Sequence, residues 1–168
     1  MAFSKNHSRF VLIIMLAHTL SYLIAGGVSY QLVTKPFWEG QNPLLSAYLR
    51  TPGNPELWNF AMTWQIPVQI LRSLLLGLAL LPLYKTLKEW GFIQRFSFLS
   101  ILFFVFTHLA SAAPSPANLE GLAYMKPEFI KLGFFKMQIE MVLYSLFVGL
   151  IAAKWLFKTD SISKPSKG

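Results

Sequence analysis

The sequence predicts an all-α integral membrane protein: a bundle of four transmembrane helices, both termini cytoplasmic, with short amphipathic helices in the outer loops. Three observations carry this. Of 168 residues, 54% are hydrophobic and only 13% charged, against about 25% charged in a soluble domain; the mean hydropathy is +0.48. The apolar residues fall in four runs, each near the roughly 20 helical residues needed to cross about 30 Å of hydrocarbon. The lysines and arginines gather at the ends of those runs, which is the pattern of membrane orientation rather than of nucleic-acid binding.

The four runs span about 10–33, 62–84, 96–113 and 134–157. None alternates with period two, so none reads as a strand. Together they make one domain over residues 1–158, followed by a Ser/Lys-rich tail, 159–168, of disordered composition. The first run also has features of a signal peptide, with Lys5 and Arg9 ahead of it and small residues Ala25, Gly26 and Gly27 near its end. It exceeds the usual apolar core of such peptides and contains His18 and Tyr22, which favours a retained span.

Charge sets the orientation. Lys5, Arg9, Lys85, Lys88, Arg95, Lys154, Lys158, Lys164 and Lys167 lie on one side, and only Lys35, Arg50, Lys126 and Lys131 on the other. The larger group marks the cytoplasmic face of a cell membrane. Trp64, Trp90 and Trp155 fall near the expected interfaces, where amphipathic rings are favoured. The short 85–95 connection predicts that spans two and three are antiparallel neighbours. The outer loops are longer. Asn42-Pro43, Asn54-Pro55-Glu56, Ser115-Pro116 and Lys126-Pro127-Glu128 read as starts of short surface helices, with Leu44, Leu45, Tyr48, Leu57, Trp58 and Phe60 as apolar positions. Such helices either cover an outer cavity or rest on headgroups.

The most informative feature is polarity inside the spans, where each ionisable group costs about 2.5–3.5 kcal/mol on insertion scales. Gln65, Gln69 and Arg72 share a face of span two; Lys136, Glu140 and Tyr144 share a face of span four; His108 and Ser111 lie together on span three. Arg72 and Glu140 stand at similar depth and are expected to pair, with Gln69, His108 and Tyr144 close by. His18 lies slightly further in and fits this cluster less well. The cluster Gln65, Gln69, Arg72, His108, Glu140 and Tyr144 reads either as an outer-side ligand pocket or as architecture that sets helix register. Pro67 is expected to kink span two. Gly26, Gly27, Gly77 and Gly149 are expected at close helix contacts.

Much chemistry is set aside. With no cysteine, disulfides, thiolate metal sites and thiol redox are excluded. No phosphate loop, nucleophile elbow or His-Glu-x-x-His helix occurs. No cofactor is predicted: haem held by His18 and His108 is disfavoured because their depths differ by about 8 Å. The leading functional reading is binding or transport of a small or amphiphilic ligand. The alternatives are a non-catalytic membrane subunit or assembly factor, and a membrane enzyme acting on a lipid or quinone, with an enzyme the less favoured. The partners are the lipid bilayer and either a second copy or another membrane protein. Four helices without an inverted repeat imply an oligomer if transport is the function.

Orientation can be tested with cysteines introduced singly at Ser4, Ser46 and Ser161. In intact cells a membrane-impermeant thiol reagent should label only the Ser46 variant. Labelling at Ser161 would reverse the assignment.

Overall fold

The computed structural model describes residues 4–39, 44–47, 49–111 and 114–157. Among them there is helix and no strand. Seven α-helices follow in order: α1 (Lys5–Ser29), α2 (Lys35–Trp38), α3 (Pro55–Ala79), α4 (Tyr84–Glu89), α5 (Phe92–Phe104), α6 (Leu119–Tyr124) and α7 (Pro127–Trp155). α1 continues into a π-helical turn, Tyr30–Thr34, and α5 into another, Val105–Leu109. The sequence carried no signal for either.

Three helical segments are long and apolar enough to cross a membrane: Lys5–Trp38, Phe92–Leu109 and Gly133–Trp155. A fourth qualifies if α3 and the following Leu81–Glu89 count as one span bent by 45°. Large apolar side chains point outward from these helices: Leu32 is 78% exposed, Phe106 71% and Phe135 84%. Water would penalise that surface and lipid would not.

The starts of α3 and α7 explain why these helices outrun the predicted spans. Asn54 caps α3, its side chain accepting from the Leu57 amide at 3.1 Å, and Pro55 occupies the first turn. Lys126 precedes Pro127 in the same way at α7. These prolines therefore open the long helices themselves, not separate surface helices, because proline's fixed φ and missing N–H suit a first helical turn. The short helices present are α2, a 3-10 turn at Leu44–Ala47, and α6, capped by Asn118. Asn42, Pro43 and Tyr48, the end of the predicted third span at 112–113, and the predicted tail lie outside the described residues. α3 runs unbroken through Pro67; the bend falls after Ala79, where Pro82 lies in a 3-10 turn.

Packing follows the order α3–α1–α7–α5. The connection through α4 does not make α3 and α5 close neighbours: α1 and α7 form the middle of the bundle, and α3 packs chiefly on α1, with Arg72 reaching the turn after α5. The core joins Phe10, Ile14 and Ala17 of α1 to Leu99 and Phe103 of α5 and Val148 and Ala152 of α7. Two glycines set the closest approaches. A Cβ on Gly149 would lie 2.0 Å from Ser100 Oγ and 2.9 Å from the Phe96 carbonyl, so α7 meets α5 there backbone to backbone. A Cβ on Gly77 would lie 3.0 Å from Val11 Cγ1 and 3.2 Å from its Cα, between α3 and α1. Gly26 is a looser contact, 3.8 Å from Glu140 Oε1, and Gly27 has nothing within 4 Å, so it is not a helix contact.

These glycines should respond unequally to alanine. Gly149→Ala should destabilise the protein by about 1–3 kcal/mol through overpacking against backbone, and Gly77→Ala by less. Gly27→Ala should be neutral or stabilising by up to about 1 kcal/mol, since alanine is the better helix former. Thermal unfolding of the three variants in one detergent gives the ranking.

Candidate functional site

The α1–α3 contact has a readable register. Gly77 meets Val11, and Gln65 Nε2 donates to the Tyr22 hydroxyl at 3.3 Å. An antiparallel pair tied at those two points places Gln69 opposite His18. Both are buried, Gln69 8% and His18 0% exposed. Neither ring nitrogen of His18 has a hydrogen-bond partner, nor does Gln69 Oε1.

Across the bundle, Tyr144 of α7 receives both histidines. His18 meets it edge-on with ring centroids 5.4 Å apart, and His108 of the π-turn does so at 5.0 Å. Phe103 closes the group, 6.3 Å from His18 and from Tyr144. The Tyr144 hydroxyl lies beside Thr107 without forming a good hydrogen bond, and His108 Nε2 and Ser21 Oγ also lack partners. His18 is thus a central member of the site, although its estimated depth had set it apart. That estimate assumed parallel, straight spans; α1 begins five residues earlier than the predicted span and α5 ends in a wider turn.

Arg72 approaches from α3. Its Nη2 donates to the Thr107 carbonyl at 3.2 Å, and its charge is within electrostatic reach of His18, His108 and Tyr144. It makes no ion pair among the described residues; the one ion pair there joins Lys35 and Glu39 at 3.7 Å. The anticipated Arg72–Glu140 pair is therefore not formed. Helix order gives the reason: α3 and α7 are separated by α1, so the two charges work on different faces of the bundle. Glu140 faces α1 beside Gly26 and the buried Ser29 hydroxyl. Lys136, one turn earlier, lies over the Phe37 ring at 5.5 Å.

On its outer flank α3 carries a groove of about 420 Å³, lined by Val68, Leu71, Arg72, Leu75, Leu76 and Ala79. It is apolar except for Arg72. The loop after the Val105–Leu109 turn is not built to open. Asn118 Oδ1 accepts from the Ser115 and Gly121 amides at 3.0 and 2.8 Å, and Asn118 Nδ2 donates to the Ser111 carbonyl at 3.1 Å. Gln138 Nε2 pins the Ala117 carbonyl at 2.6 Å. A Cβ on Gly121 would sit 1.7 Å from the Ser115 carbonyl oxygen, so only glycine fits this fold of the loop.

The separation of the two charges has a measurable consequence. Arg72→Leu and Glu140→Leu should change stability additively, with a coupling energy below about 0.5 kcal/mol, as for sites without shared partners. Equilibrium unfolding of the two single variants and the double variant measures it.

No group of three or more metal-binding side chains occurs among the described residues. No family model, no curated protein and no solved structure matches the chain.

Proposed function

We propose that this chain is a four-span membrane protein with both termini cytoplasmic, and that it binds a small or amphiphilic ligand between its helices. One observation carries the reading: buried polar atoms of His18, Ser21, Gln69, His108 and Tyr144 converge in the bundle without hydrogen-bond partners. In a water-poor interior each such atom costs about 1–3 kcal/mol. A chain that needed only architecture would be as stable with apolar residues of the same shape there. The ring edges, amide and hydroxyl offer both donors and acceptors, which suits recognition of a polar head. The pinned loop at 114–126 argues against access from under the outer loops. The open apolar groove along α3, with Arg72 in its wall, favours entry from the bilayer.

Purification in a mild nonionic detergent followed by native mass spectrometry tests the reading. A bound small molecule should be retained by the wild-type chain and lost from Gln69→Leu and His18→Leu. The ligand-free Gln69→Leu variant should melt no lower than the ligand-free wild type, because an unpartnered polar atom has been removed. A bare chain recovered with a stoichiometric membrane-protein partner would replace ligand binding with the subunit reading.

A further inference from the structure

Arg72 carries a full charge that nothing in the described chain neutralises. Its recorded partner is one neutral carbonyl, Thr107, while a guanidinium offers five N–H donors. The residue lies eight positions beyond Trp64 on α3, about 12 Å along the helix. At that depth the headgroup phosphates of surrounding lipids do not come to it. Intramembrane arginines are costly unless paired, and the one carboxylate at comparable depth, Glu140, faces another helix.

The groove beside it is shallow and open, on an exposed apolar face of α3. From Val68 to Ala79 it runs along α3 for about 16 Å, close to half of a hydrocarbon core about 30 Å thick. Its volume of about 420 Å³ is at the small end of ligand sites. It is lined by leucine, valine and alanine, with Arg72 as the only polar group. A site with one long apolar wall and one cation about a third of the way along it fits one chain bearing one anion. A fork-shaped guanidinium pairs best with a planar carboxylate, which it can grip through two parallel hydrogen bonds.

We infer that Arg72 and the groove from Val68 to Ala79 bind a single-chain amphiphile with a carboxylate head, of the long-chain fatty acid class. The carboxylate pairs with the Arg72 guanidinium at the mouth of the polar cluster, and the tail lies along Leu71, Leu75 and Ala79. This rests on the amphiphile-binding reading above and specifies the head and tail.

The test is titration of the detergent-purified full chain with palmitate, methyl palmitate and phosphatidylglycerol, followed by native mass spectrometry. Palmitate should bind saturably, one per chain. Methyl palmitate should bind the wild type about tenfold or more weakly, and Arg72→Leu should weaken palmitate by a similar factor, the worth of a charge-assisted hydrogen bond. Arg72→Lys should retain part of the affinity. Leu75→Trp, which fills the groove and leaves the charge, should weaken palmitate without lowering the melting temperature. If Arg72→Leu does not fold, the ester comparison and Leu75→Trp decide the question. Equal binding of acid and ester would overturn the role of Arg72 while leaving amphiphile binding intact. Displacement of palmitate by equimolar phosphatidylglycerol would overturn the single-chain assignment. Folded wild-type protein that binds neither palmitate nor its ester would overturn the inference, and the reading beneath it would fall only if the purified chain also retained no other small molecule.

Discussion

The structure depends on what surrounds the Tyr144 ring. It is nearly buried, at 3% exposure, and takes the edge of His18 from α1 and of His108 from the turn after α5. One aromatic side chain on α7 thereby joins three helices at one level. Edge-to-face contacts of this kind contribute about 0.5–1.5 kcal/mol each beyond the area they bury. More important is what lies beside them. Around these contacts the Tyr144 hydroxyl, both ring nitrogens of His18 and His108 Nε2 have no hydrogen-bond partner among the described residues. The packing that closes the bundle also creates its polar interior.

α3 stands outside this arrangement. It is held to α1 by the close passage of Gly77 past Val11 and by the Gln65–Tyr22 hydrogen bond, and to the far side only by Arg72 reaching Thr107. α3 thus has one principal partner, where α1 and α7 each have two. An apolar groove on that helix, with a polar cluster behind it, combines access with recognition.

The helical class and the apolar runs were legible in the sequence, because composition and run length respond directly to the bilayer. Helix starts were half legible. Asn54-Pro55 and Lys126-Pro127 carried the right chemistry, but capping residues mark a start without saying how long the helix will be. Neighbour relations were the least legible. A short connection implied that spans two and three pack together, yet the break at Leu80 and the turn through α4 carry α3 back against α1. With that order wrong, Arg72 and Glu140 were matched by depth alone, and depth says nothing about which face a residue occupies. His18 was underrated for a related reason, since its level was counted from an assumed helix start. Helical spacing of three and four put Gln69 with Arg72 on one face of α3, and the structure brings that face toward His18 and the Thr107 carbonyl beside His108. The two π-turns left no trace, because a widened turn uses ordinary helix-forming residues.

Those widened turns decide where the gene can change length. A π-turn holds one residue more than an α-turn. Removing one residue from Val105–Leu109 would let the helix close up as regular α with the residues beyond it near their present faces, so Ser111 and the loop tethered by Asn118 would stay in register. Removing one residue from the regular middle of α7 has no such slack, and everything beyond would rotate by about 100°. Single-residue deletions should therefore be better tolerated in the widened turns than within α7, a pattern that a deletion scan of the coding sequence would reveal as sharply as any substitution.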